Sequence, residues 1–286
     1  MSEPREICFT FACGASNLIG IVHLPAEQRK APAGVLILVG GPQYRVGPHR
    51  QYVHLARHLS NAGIPAMRFD FRGIGDSEGD YPGFESLRAD LDAAMSAFQL
   101  HAPHLQAIIL WGLCEGASSI LLDGVEDRRV AGAVLLNPWV RNESSLARTH
   151  LKHYYLTRFT SGEFWRRLLG GKADLKTIVN SFGTTLKNAF GTPSRTTAAK
   201  HLPFPSRMAD GLRQFQGDVL LIQSGRDLVA REFDQVTGHD PAWAEIKARK
   251  VERFDIPGAD HTFSTEAARL AVAEKTTAWI KARFGG

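Results

Sequence analysis

Three cysteines in 286 residues, Cys8, Cys13 and Cys114, are too few for a disulfide-built fold, and the odd count leaves at least one thiol free. No cysteine–histidine spacing resembles a zinc site, so neither a metal nor a cofactor is expected. No apolar run approaches the roughly 18 residues that a membrane-spanning helix needs. The opening residues, Met1 to Glu6, lack the basic-then-apolar order of a secretory leader, so a reducing cytoplasm is the expected compartment. Internal repeats, low-complexity segments and recognised nucleic-acid-binding motifs are also missing, and no nucleic-acid partner is expected. What is present is a 44% hydrophobic chain able to bury one large core plus a modest insertion.

Alternation organises that core. Residues 5–11 and 18–24 read as strands of an opening hairpin around a turn at 14–17. Cys8 and Cys13 fall within this hairpin, where they could pair only if compartment and geometry allowed it, and both read as structural. Residues 34–39 form an almost wholly apolar run, as expected of a parallel strand covered on both faces. Helical spacing of Tyr52, Leu55, Ala56 and Leu59 follows, ending at Gly63. A strand at 64–69, a glycine-rich loop, a helix at 84–99 and strands at 106–111 and 130–136 continue the pattern. This order predicts an α/β fold with a mostly parallel, doubly wound sheet. Strands at 218–223 and 250–256 and a terminal helix over 264–283 complete it.

Between those halves the strands stop. Helical stretches at 143–158, 161–169, 173–190 and 204–215 predict a cap over 141–216, inserted into a core of residues 1–140 and 217–286. The charge is unevenly divided: residues 141–216 carry 13 Lys and Arg against 4 Asp and Glu, a net of +9. The rest, with 21 against 25, nets −4. A solvated helix surface accounts for some of this excess, but segregation on this scale favours an anionic substrate, carrier or surface.

The chemistry points to Gly112-Leu113-Cys114-Glu115-Gly116, a glycine-x-nucleophile-x-glycine run between a strand and a helix start. Such a turn lifts its central side chain above the strand end. Alone the pattern also fits a buried cysteine in a tightly packed turn. Two further loops decide between these readings. Ser224-Gly225-Arg226-Asp227 places a carboxylate after one strand, and Pro257-Gly258-Ala259-Asp260-His261 places an imidazole after the next. A cysteine nucleophile needs such a base, and the base needs an orienting acid. Asp260 competes with Asp227 for that part, but a sequence neighbour of His261 seldom points at it. An oxyanion hole would combine the Glu115 N–H with one from the loop after 34–39. Pro42 has no N–H, which leaves Gly41 first and Gln43 second. Arg45 and Arg141 are candidate contacts for an anionic substrate group.

With Asp70-Phe71-Arg72-Gly73-Ile74-Gly75-Asp76-Ser77, these motifs resemble the α/β-hydrolase superfamily over nearly the whole chain. More closely, the chain resembles the exosortase A system-associated hydrolases of the first type. That resemblance rests on the run from Gly40 to Gly47, the cysteine elbow, Asn137-Pro138-Trp139-Val140, His153-Tyr154-Tyr155 and Phe164-Trp165. It implies the α/β-hydrolase fold and a bacterial cytoplasmic hydrolase encoded with exopolysaccharide and protein-sorting genes, without a defined substrate. Dienelactone hydrolases share a cysteine elbow but lack a cap of this kind.

The expected chemistry is attack of Cys114 on an acyl carbonyl, giving a thioester acyl-enzyme. Hydrolysis of an ester, lactone or thioester is the first reading, on a small-molecule or carrier-linked substrate with an anionic part. Acyl transfer to another acceptor by the same residues is the second. A non-catalytic binding protein of the polysaccharide machinery is the third. Oligomeric state leaves no mark in the sequence.

Overall fold

The computed structural model describes residues 4–26, 32–41, 43–140 and 203–285. Their strands form one eight-stranded sheet in the order β1-β2-β4-β3-β5-β6-β7-β8. In chain order these are β1 (Arg5–Cys13), β2 (Ser16–Leu24), β3 (Ala33–Leu38), β4 (Ala66–Phe69), β5 (Ala107–Leu113), β6 (Val130–Leu136), β7 (Asp218–Ser224) and β8 (Val251–Ile256). β1 and β2 pair antiparallel, β2 joins β4 antiparallel, and β3 to β8 run parallel with their neighbours. The doubly wound α/β expectation therefore holds. Every residue of β3 and β4 is buried, because helices cover both faces there.

The opening hairpin is longer than expected. Cys13 pairs with Ser16, so the turn is the two residues Gly14-Ala15, with Gly14 at φ 60°. A two-residue loop with positive φ matches the twist of the flanking strands. Cys8 and Cys13 lie five positions apart on that single strand, roughly 17 Å at 3.4 Å per residue, too far to bond one another.

The helices are α1 (Gln51–Asn61), α2 (Arg88–His101), α3 (Glu115–Ser119), α4 (Phe204–Gln214), α5 (Leu228–His239), α6 (Pro241–Lys250) and α7 (Glu266–Phe284). α5 and α6 occupy a stretch to which the sequence reading assigned no element. Each begins on an aspartate side chain that accepts backbone N–H groups, Asp227 for α5 and Asp240 for α6.

Residues 141–202, and with them most of the expected cap, lie outside the described residues. The last part of its range departs from expectation. In α4, Met208, Ala209 and Leu212, followed by Phe215, are buried in the same apolar cluster as the sheet. The helix expected there is present, but its apolar face packs into the core. Among the described residues, no helix is long and apolar enough to cross a membrane.

Candidate active site

β5 delivers Cys114 at its C-terminal end, immediately before α3. Its backbone has φ 57° and ψ −122°, a conformation rarely adopted by a residue with a side chain. The surroundings hold it there. The Cys114 N–H donates to Leu136 O at 2.9 Å, and its carbonyl accepts from the N–H groups of Ala117 at 3.0 Å and Ser118 at 3.1 Å. A Cβ on Gly112 would lie 2.6 Å from the Gly116 carbonyl carbon, and one on Gly116 would lie 2.8 Å from Leu38 O. Glycine at both flanks is thus what allows so tight a turn.

The loops after β7 and β8 bring the acid and the base to the same place. Their backbones join through Gly225 N–H to Ile256 O at 3.0 Å and Arg226 N–H to Ala259 O at 3.0 Å. His261 Nδ1 lies 2.7 Å from Asp227 Oδ2, and the His261 side chain also hydrogen-bonds that of Cys114. Burial would lower the imidazole pKa, but the Asp227 and Cys114 hydrogen bonds and charges outweigh it and push it up to about 10. Burial likewise works against ionised Asp227. His261 and the N–H groups of Val229 and Ala230 reverse that effect and hold its carboxyl below the usual range.

Asp260 has other partners. It is exposed and accepts the Ser264 N–H at 2.8 Å, which fixes the turn carrying His261. The structure therefore brings Cys114, His261 and Asp227 together and leaves Asp260 aside.

The amide groups divide in the same way. Glu115 opens α3, where an N–H has no partner within the helix. The loop after β3 lies directly against it: a Cβ on Gly40 would stand 3.3 Å from Glu115 N and 2.9 Å from Gly116 N. Gln43 is a weaker candidate than the sequence allowed, because its N–H already donates to Gly41 O at 2.8 Å. Gly41, at φ 65°, turns its N–H onto the Glu115 carboxylate.

Arg45 is corrected. Its guanidinium pairs with the fully buried Asp70 and lies 2.7 Å from Asp76, while its own N–H donates to Asp70 Oδ1 at 2.6 Å. These bonds tie the 43–47 segment to the 70–76 loop and leave the side chain committed to structure, not to a substrate anion. Arg141 lies outside the described residues.

One residue gained importance only from the structure. Asn137, at φ 42° and fully buried, donates from Nδ2 to Ser224 Oγ at 2.8 Å and His261 O at 3.0 Å, and accepts the Ser224 N–H at 3.0 Å. It links the loops after β6, β7 and β8. A non-glycine residue after a strand where asparagine tolerates left-handed backbone was the available signal, but the partners were not readable.

A mostly parallel eight-stranded sheet with an elbow after a central strand, and acid and histidine on later strand ends, is the α/β-hydrolase fold. Residues 30–268 match the hydrolase family described as serine aminopeptidase, S33, and the chain belongs to that family, with cysteine standing at elbow position 114. The fold is similar to that of the Pyrococcus furiosus esterase Pf2001, with a TM-score of 0.64 and 15% identity, covering 99% of this chain and 92% of the other. It is similar also to Est1E from Butyrivibrio proteoclasticus, solved with ferulic acid bound, with a TM-score of 0.64 and 16% identity over 97% and 100% of the two chains. In sequence the chain is 31% identical over 126 residues to the polyketide transferase grgF of a Penicillium species. That match covers 41% of this chain and 39% of the relative, well under half of either length.

Proposed function

We propose that the protein is an acyl hydrolase acting on an ester, lactone or thioester through Cys114, His261 and Asp227. The observation that carries this reading is the meeting of three strand-end residues: Cys114 on a backbone held in the elbow conformation, His261 near enough for the thiol to raise the imidazole pKa, and Asp227 hydrogen-bonded to His261 Nδ1 at 2.7 Å. Cys114 attacks the acyl carbonyl, forming an S–C bond as the leaving group departs. His261 gives that group its proton and then draws one from water, whose oxygen attacks the thioester carbon, so that the S–C bond breaks, the carboxylic acid leaves and Cys114 is restored. Asp227 fixes the imidazole orientation and supports its positive charge. The N–H groups of Glu115 and Gly41 stabilise the developing oxyanion.

The basic excess of residues 141–216 supports a substrate or carrier with an anionic part. The resemblance carried by Gly40 to Gly47 and the cysteine elbow supports a cytoplasmic role beside exopolysaccharide and exosortase systems. Acyl transfer is the second reading. It is favoured by the similarity to a polyketide transferase and by the reactivity of a thioester toward amines and thiols as well as water.

Intact-mass trapping after a brief exposure to activated esters and acyl-thioesters tests both. A mass increment on Cys114 that decays in water supports hydrolysis, and one that moves to an added amine, alcohol or thiol supports transfer. A Cys114→Ala protein with full activity would overturn both, and no increment on any ester or thioester would favour a binding role.

A further inference from the structure

The residue after the nucleophile supplies a backbone amide to the oxyanion hole, but here its side chain also enters the site. Glu115 is half-buried, and its carboxylate accepts a hydrogen bond from the Gly41 N–H. A Cβ on Gly41 would lie 3.8 Å from Glu115 Oε2, so the carboxylate stands over that glycine. Gly41 and Gln43 were the two candidate loop donors. Gln43 spends its N–H on Gly41 O. The Gly41 N–H, the remaining candidate, is on Glu115. Burial raises the Glu115 carboxyl above its usual range, with the Gly41 bond acting against that rise.

A carboxylate oxygen resembles a tetrahedral oxyanion in charge and in its demand for N–H donors. We propose that the Glu115 carboxylate is the resting occupant of the oxyanion hole, and that it must release the Gly41 N–H before an acyl carbonyl can take its place. The proposal rests on the reading of Cys114 as the residue that is acylated, which hydrolysis and transfer share. It makes residue 115 a selector: a carbonyl gains the site only when the rest of its molecule binds well enough to displace a charge-assisted hydrogen bond. Small activated esters, with little else to bind, would then acylate the wild-type protein slowly.

The test compares two reactions of Cys114 in the wild type, Glu115→Gln and Glu115→Ala, each followed by intact mass. Acetylation by p-nitrophenyl acetate forms the S–C bond, breaks the ester C–O bond, expels p-nitrophenolate and needs the oxyanion hole. Alkylation by iodoacetamide displaces iodide and needs only the thiolate. The ratio of the two rates cancels any change in thiolate population caused by removing the charge. That ratio is expected to rise roughly ten- to hundredfold in Glu115→Ala, the factor that a hydrogen bond to a charged group represents, and by less in Glu115→Gln, whose amide oxygen still accepts. A wild type that acetylates while both variants leave the ratio unchanged or lower overturns the proposal alone. Alkylation at Cys114 with no acetylation in the wild type or in either variant overturns the acyl-enzyme reading and this proposal with it.

Discussion

His261 and Asp227 come from loops 34 residues apart, yet Nδ1 and Oδ2 stand 2.7 Å from one another while the same aspartate caps α5. The acid is held on both sides: the two helix N–H groups fix its oxygens, and the imidazole takes the outward lone pair. This arrangement makes the charge of Asp227, more than its shape, the quantity to alter.

Asp227→Asn keeps the size of the side chain but removes the charge that supports imidazolium. Activity toward a reactive ester should fall by about 10³-fold or more, the scale on which triads respond to loss of the acid. The His261 ring proton resonances, followed by NMR against pH, should titrate well below the wild-type value of about 10. An unchanged midpoint would show that Asp227 does not govern the imidazole.

The raised His261 pKa also has a stability consequence. Folded His261 keeps its proton to about pH 10, against 6.5 for the ordinary group. Its charged contacts therefore add stability that is fully present below about pH 6.5 and is lost as pH rises through about 10. Urea unfolding of wild type and Asp227→Asn should show the widest gap near pH 6 and a narrowing gap toward pH 10. A gap that widens with pH would contradict the assignment.

Cys114, Asp227 and His261 were legible in the sequence because each sits at a strand end and their order along the chain is itself a signal. Strand ends are easy to find when the strands are as apolar as β3, β5 and β7. Asn137 was not legible as a link, because its partners are a backbone carbonyl and a serine 124 and 87 positions away. Arg45 was misread for a related reason: a cation beside a site resembles a substrate contact until its buried partner, Asp70, is found. The direction of the Glu115 side chain had no sequence correlate. Residues 204–215 were counted with the cap because helical character without an intervening strand does not show what a helix packs against.

Asn137→Ala should lower stability by about 2–3 kcal/mol, since it strands the Ser224 N–H and the His261 carbonyl in a buried place and forces alanine to a positive φ. Asn137→Asp should also lower activity, because it sets a carboxylate oxygen against the His261 carbonyl and disturbs the loop that carries His261. Denaturant midpoints with turnover at saturating substrate check both, and a loss confined to KM would argue against a positioning role.

Arg45→Ala should behave as a structural variant. Removing one partner of a buried pair leaves the Asp70 carboxylate uncompensated, at a cost of about 3–5 kcal/mol. Melting temperature should drop while the preference between anionic and neutral esters stays the same. A stable protein that has lost its preference for anionic esters would restore Arg45 as a substrate contact.

Cys114→Ser asks how far the site depends on sulfur. The family description names serine, and the elbow has room for an oxygen in place of the thiol, so the variant should fold with its glycine contacts intact. The chemistry should not carry over unchanged. In the wild type Cys114 is one of the partners that push the His261 pKa up to about 10, by hydrogen bonding and by charge. A serine hydroxyl, essentially un-ionised at that pH, provides no such charge, so the imidazole pKa should fall toward 6.5 and the ring should act as a general base. Ester turnover should then drop by about 10²-fold or more and gain an ascending limb as His261 loses its proton. Any trapped intermediate should be an oxygen ester, stable to neutral hydroxylamine where the wild-type thioester is cleaved. A serine variant with wild-type turnover and the same pH profile would mean that the sulfur and its effect on the His261 imidazole have no part in the reaction.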